Sequence, residues 1–337
     1  MVPCPFCNVM LPAEKMPAEG SILWACEGGK NPVVVLRGDL SLEGRPLPRG
    51  RDIRAISQPG SIGGEILSSM ESAIDALPVL PQISQQMLQL LGDPDSGMDA
   101  LSTLIQGDQV IALRIMKTAN SAAYGGLHEI KDLQSACARL GTKTLANVIQ
   151  AAAHGSLYVT KNATLRDYMW QLWRHSVATA HAAHELALLL SFPQPERLFL
   201  AGLVHDIGKV LLLDILSRES GGVLAPLQES ADLRDEILER FHILIGLHVV
   251  QHWDMPPDFF ASTYCHHDPD LCPDEKLLIM THIVCLADAI VRVEGFTTNP
   301  VKEIFLTSLP SSKFLNMSDI RLAGLRIDLM DKVEALL

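Results

Sequence analysis

The run Ala201-Gly-Leu-Val-His-Asp-Ile-Gly-Lys-Val-Leu-Leu-Leu213 sets the tightest constraint on this chain. It places an imidazole, a carboxylate and an ammonium (His205, Asp206, Lys209) inside a stretch that is otherwise apolar. Such a segment belongs in a core. Ionisable groups are costly there unless they are paired, hydrogen-bonded or bound to a metal. Whatever surrounds this run must therefore compensate three polar groups at once.

The surroundings read as helical. From about Ile66 onward apolar residues recur at helical spacing. Leu80 to Leu91 reads as one helix and Gly92-Asp-Pro-Asp-Ser96 breaks it. Ser96 and Asp108 suit N-caps of the next two helices. Residues 120–126 read as a turn, and Gly141 splits Leu133–Arg139 from Thr142–Ala153. Asn162-Ala-Thr164 opens a long helix that runs to Leu190. The 201–213 run follows on its own helix. Asp232 to Trp253 is helical up to Pro256-Pro257, Pro273 opens a helix to Val293, and Ser318 caps a terminal helix to Leu337. The expected fold class is a mainly all-α helical bundle.

Residues 1–54 differ. They are rich in Pro and Gly, near neutral, and hold one β-like run, Asn31-Pro-Val-Val-Val-Leu36. They read as a small β-rich N-terminal module and linker. The chain of 337 residues thus divides into 1–54, an N-terminal helical part 66–160, a helical part 161–300 carrying the polar cluster, and a C-terminal extension 301–337.

A net charge of −12 argues against general nucleic-acid binding and against an anionic membrane surface. No apolar stretch reaches the length of a membrane span. The start, MVPCPFCNVM, lacks the plan of a signal peptide, so the expected location is cytoplasmic. Seven scattered cysteines do not form a secreted disulfide framework. Cys4-Pro-Phe-Cys7 has the spacing of half a zinc knuckle, and Cys26 offers a third thiolate, but no fourth ligand stands within 1–54. A ribbon that folds without zinc, a three-thiolate zinc site completed from outside, and a redox pair all fit. The first is favoured.

On a helix His205 and Asp206 lie about 100° apart and reach one point in front of it. Neutral imidazole and ionised carboxylate suit a divalent cation. Asp288 adds to this, because positions 277, 281, 284 and 288 share one helix face of otherwise Leu, Thr and Val, which turns Asp288 inward. His175 lies on the long helix. His181 and His184 lie roughly 240° and 180° around that helix from it, so one small site cannot readily use all three. His181, His184, His248, His252 and His282 read as ordinary hydrogen-bonded or solvated residues. Lys209, one turn after His205, either snorkels to water or faces a phosphate.

The region from about Ile74 to Val293 resembles the HDOD domain, the HD-related output domain of bacterial signalling proteins. The resemblance is carried by LPVLPQISQQMLQLLGDPDS, IQGDQVIALRIMKTANSAAYG, SACARLGTKTLANVIQ, LWRHSVATA, AGLVHDIGK, FHILIG, HWDMPPDF and CHHDP. It implies an output protein acting through signalling partners or a nucleotide ligand. HDOD domains are similar to HD-type phosphohydrolases, and that similarity implies a metal-ligand set of His175, His205, Asp206, His242, His266, His267 and Asp288. His175, His205, Asp206 and Asp288 would hold a first divalent ion, such as Fe or Mn. His242, His266 and His267 would hold a second, with Asp206 bridging. Lys209 and Asp206 would carry the catalytic role if the domain is a phosphodiesterase, the alternative reading. The chain departs from the cyclic-dinucleotide phosphodiesterases after the tandem His, where HHDPDLCPDE has no Gly-Tyr-Pro loop.

Overall fold

The computed structural model of the chain describes residues 2–3, 10–11, 62–75, 109–126, 128–218, 224–272, 274–297, 304–327 and 329–337. Near the N-terminus two short strands, β1 (Val2–Pro3) and β2 (Met10–Leu11), pair antiparallel with Val2 opposite Leu11. The rest of the expected 1–54 module, with Cys4, Cys7 and Cys26, lies outside the described residues, as does the expected helix over 80–91.

The remaining described elements are helical. They are α1 (Ile62–Asp75), α2 (Gln109–Ala119), α3 (Leu133–His154), α4 (Ala163–Leu189), α5 (Pro195–Val204), α6 (Ile207–Arg218), α7 (Ala225–Glu229), α8 (Ala231–His252), α9 (Pro257–Cys265), α10 (Glu275–Val293), α11 (Pro310–Phe314), α12 (Asp319–Ile327) and α13 (Leu329–Leu336). They fall into two compact units. One comprises Met1–Leu77 and Asp206–Thr281, the other Pro78–His205 and His282–Leu337.

In the unit that includes 206–281, α6 packs along α8, with α1 against α6 and α9 against α8. The α6–α8 crossing is unusually close. A Cβ on Gly208 would stand 1.8 Å from the carbonyl oxygen of His242 and 2.6 Å from the nitrogen of Gly246. Only hydrogen fits there. Ser230 caps α8 by accepting from the Leu233 N–H, and Pro257 opens α9 at a position where a missing N–H costs nothing.

In the other unit α4 packs on α5, α2 on α3, and α13 on α4 and α2. Here Gly202 makes the close approach. A Cβ on it would meet the Cα of Ala180 at 2.7 Å. Asn162 caps α4 through the N–H groups of Thr164 and Leu165. Gly141 interrupts α3 with φ 70 and ψ 167, the break its position in the sequence led one to expect. The hydroxyl of Thr118 donates to the carbonyl of Ala335 at 2.9 Å, fixing α13 to α2.

Two boundaries depart from the sequence reading. The 201–213 run is not one helix: α5 stops at Val204 and α6 starts at Ile207, so His205 and Asp206 occupy a turn. The reason is packing. Gly202 and Gly208 are each held against a different partner helix, and the chain must redirect between them. The terminal helix is likewise two, α12 and α13, although Ser318 does cap the first through the Arg321 N–H.

Candidate metal centre

The seven candidate ligands are nearly all buried. His175, His205, Asp206, His242, His266 and Asp288 are at most 7% exposed. His267 is intermediate. They form two groups, one in each unit.

The first group is His175 on α4, His205 after α5 and Asp288 on α10. His175 Nδ1 lies 2.8 Å from the carbonyl oxygen of Phe296, and His205 Nδ1 lies 2.7 Å from that of Gly202. A carbonyl only accepts, so each Nδ1 carries the proton and each Nε2 presents a lone pair. Those two Nε2 atoms face each other at 3.3 Å, and His175 Nε2 is 3.2 Å from Asp288 Oδ1. Burial opposes ionisation of Asp288. Without a cation, a second proton at His175 Nε2 supplies a hydrogen bond and a charge that, with Arg292 and His205, nevertheless hold the carboxyl well below the usual carboxylate range, and a bound metal would take that proton's place. The guanidinium of Arg292, one turn on, is 3.6 Å from the other carboxylate oxygen.

The second group is Asp206, Lys209, Glu239, His242, His266 and His267. His242 Nδ1 lies 2.9 Å from the Leu238 carbonyl and His266 Nδ1 lies 2.7 Å from that of Thr263. Their Nε2 atoms therefore also present lone pairs, and both point at Asp206 Oδ1, at 3.6 and 3.5 Å. His267 Nε2 is 3.0 Å from His242 Nε2. Burial above all, and then the Lys209 cation, lower the His242 pKa to about 4, so it stays neutral at physiological pH. One ligand atom from each of His242, His266 and His267 falls within 4.8 Å of the others.

Lone pairs converging on lone pairs and on a carboxylate repel one another unless something positive lies among them. Imidazole and carboxylate ligands bind a divalent ion such as zinc at about 2.0–2.2 Å, which puts neighbouring ligand atoms of a tetrahedral site about 3.3–3.6 Å apart. The separations in both groups lie at or within a few tenths of an ångström of that range. The donor set therefore fits a divalent cation, and the backbone carbonyls serve as the outer partners that fix tautomer and ring orientation.

Lys209 has a defined place. Its ammonium lies 2.9 Å from Asp206 Oδ2 and 3.0 Å from Glu239 Oε1, with the side chain 12% exposed. Burial alone would favour the neutral amine, but the two carboxylates outweigh it and raise the pKa above that of a free lysine. Burial opposes ionisation of Glu239 too, and Lys209 offsets this and lowers its pKa. Sequence reasoning missed Glu239 and Arg292. A usable signal existed for each: Glu239 sits one turn before His242 and Arg292 one turn after Asp288.

The profile of the HDOD domain matches residues 77–269. The chain belongs to the HDOD family. An HDOD domain protein from Geobacter sulfurreducens superposes with a TM-score of 0.64 at 22% identity, covering 80% of this chain and 96% of that one. A Shewanella amazonensis protein named as a metal-dependent phosphohydrolase gives 0.58 at 23% identity, covering 81% and 96%. A Marinobacter aquaeolei protein named as a signal transduction protein gives 0.55 at 16%, covering 85% and 67%. At these identities the likeness is one of fold. Among curated proteins, an uncharacterized Treponema pallidum protein is 23% identical over 272 residues, 77% of this chain and 49% of its own length. Ribonuclease Y of Symbiobacterium thermophilum is 26% identical over 282 residues, 82% and 45%. The chain spans about half the length of the curated relatives it matches. No helix among the described residues of this HDOD protein is long and apolar enough to cross a membrane.

Proposed function

We propose that this HDOD protein is a cytoplasmic signal-transduction output module whose core binds divalent metal, and that it acts by engaging signalling proteins or a nucleotide ligand. One observation carries the metal assignment: the paired Nε2 lone pairs, fixed by peptide carbonyls and aimed at each other and at Asp288 or Asp206. His175, His205 and Asp288 would hold one ion. Asp206, His242, His266 and His267 would hold another. A mixed imidazole and carboxylate shell suits iron or manganese.

The alternative is metal-dependent hydrolysis of a phosphodiester, which the ligand chemistry permits. A bound divalent cation supplies Lewis acidity toward a phosphoryl oxygen and lowers the pKa of bound water. Lys209 favours the binding role over turnover. A phosphate-contacting lysine needs an available ammonium, and this one is committed to two carboxylates. Fold alone does not decide between the two.

The test is elemental analysis of the purified protein, with turnover assays on cyclic dinucleotides and simple phosphodiesters. The proposal expects bound transition metal that His205→Ala depletes, with no turnover. Metal-dependent turnover abolished by His205→Ala would replace it with the phosphodiesterase reading. Absence of metal after reconstitution with Fe(II) or Mn(II) would sink both.

A further inference from the structure

Cys265 and Cys272 lie outside the ligand set but bracket part of it, since His266 and His267 stand between them. The described cysteines are free thiols. Cys265 and Cys272 are the buried ones, at 0% and 8% exposed, whereas Cys137 and Cys285 are intermediate.

The backbone brings the pair together. Cys265 ends α9, and its carbonyl accepts from the Asp268 N–H at 3.0 Å. Pro269–Leu271 then forms a single 3-10 turn, and the Pro269 carbonyl accepts from the Cys272 N–H at 3.0 Å. Two successive turns fold the chain back on the end of α9, and the two thiols hydrogen-bond to each other. The pair is asymmetric. The bond from Cys265 lowers the Cys272 pKa to about 7 against the opposing effect of burial, so a large share of Cys272 is thiolate at neutral pH. Cys265 is the side that keeps its proton and donates it. A protonated thiol held against a thiolate is the arrangement of a resolving sulfur and its nucleophile. The described groups whose ligand atoms lie within 4.8 Å of one another contain no cysteine, so the pair is suited to redox chemistry rather than to a metal.

We propose that Cys265 and Cys272 form a dithiol that a hydroperoxide oxidises reversibly to a disulfide, and that closure draws His266 and His267 out of register with the other donors of their group. The Cys272 thiolate attacks the peroxide O–O bond. An S–O bond forms, the O–O bond breaks and hydroxide leaves, so Cys272 becomes a sulfenic acid. The Cys265 sulfur then attacks Cys272. An S–S bond forms, the S–O bond breaks, and water leaves with the Cys265 proton. The two sulfurs together lose two electrons and the peroxide gains them. A covalent S–S contact is much shorter than a hydrogen bond to sulfur, so closure pulls residues 265 and 272 together. His266 is the next residue after Cys265, and metal sites tolerate ligand errors of only about 0.2 Å. Closure therefore weakens metal binding at Asp206, His242, His266 and His267, a consequence that rests on the metal reading above.

The experiment uses the full chain, reduced, metal-free and treated with hydrogen peroxide. It is then denatured in iodoacetamide and digested with trypsin. Cleavage after Arg240 and Lys276 leaves both thiols on one peptide, 241–276. That peptide is expected to be two hydrogens lighter and to take no alkyl group, and dithiothreitol should restore both alkylations. Cys265→Ser should stop Cys272 at a sulfenic acid that dimedone traps. Cys272→Ser should leave Cys265 reduced. Mn(II) affinity should fall about tenfold or more on oxidation of the wild type and stay constant in either serine variant. A peptide that still takes two alkyl groups, or a Cys272 driven to sulfinic acid beside a reduced Cys265, would overturn the dithiol. A joined pair with unchanged Mn(II) affinity would overturn the coupling. A reduced protein that binds no Mn(II) would overturn the metal reading and the coupling with it, while the peptide mass still decides the dithiol.

Discussion

Gly208→Ala adds one methyl group at the tightest helix crossing in the described structure. The new Cβ would stand 1.8 Å from the His242 carbonyl oxygen, against the 3.4 Å at which ordinary contact begins. Relief requires α6 and α8 to separate by about 1.6 Å, because both neighbours of the new atom are backbone and neither can rotate away. Overpacking a core by a methylene or two costs about 1–3 kcal/mol. A backbone-to-backbone clash of this depth belongs at or above the top of that range. The displacement also carries His242 away from Asp206. Metal sites tolerate ligand errors of only about 0.2 Å, so binding should fail before folding does. Chemical denaturation gives the stability and Mn(II) titration the affinity. The expected result is a folded but weakened protein, at least about 2 kcal/mol less stable, with Mn(II) affinity reduced more than tenfold. Gly324→Ala is the control. A Cβ there meets nothing within 4 Å on the exposed face of α12, so the helix should gain up to about 1 kcal/mol. A Gly208→Ala protein with wild-type midpoint and metal affinity would refute the close-approach argument.

Further outcomes follow from the site. Lys209→Met leaves the buried Asp206 carboxylate without its cation and frees the partly exposed Glu239, so the metal-free protein should lose about 3 kcal/mol, partly regained on adding Mn(II); an unchanged denaturation midpoint would disprove the pairing. Asp288 has a folded pKa depressed below the unfolded value of about 3.9. Its contribution is present above that value and is lost as pH falls toward the folded one, so Asp288→Asn should flatten the stability curve below about pH 4. His154 is fully buried and burial lowers its pKa from 6.5 to about 4, so it destabilises the fold progressively as pH drops between those values. His154→Gln should reduce the slope of thermal midpoint against pH in that window and leave it unchanged above pH 7. Chelation of the metal-loaded protein should lower its thermal midpoint, and less so in His205→Ala, as seen by scanning calorimetry.

Helix ends were the most legible part of this fold. Asn162 and Ser318 announce helix starts because a short polar side chain answers an orphan backbone N–H locally, and Gly141 announces a break because it alone takes φ 70 without strain. Asp288 was readable as inward-facing because its neighbours at helical spacing are apolar, and it is 7% exposed. His242, His266 and His267 were reachable only through the family resemblance, since nothing local distinguishes them from other histidines. The turn at His205-Asp206 was not legible. It arises from two glycines pressed against two different helices, and a sequence shows the glycine without the backbone it meets. Glu239 carried a hint in its place one turn before His242, but its grip on Lys209 comes from another helix and shows only once the two are packed together.

The peptide oxygens of Phe296, Gly202, Leu238 and Thr263 have a consequence for how this domain can diverge. By anchoring one edge of four of the five imidazoles, all but His267, they write the aim of those donors into the main chain rather than into other side chains. Outer surfaces can then be re-sculpted for new clients while the inner donors keep their bearing.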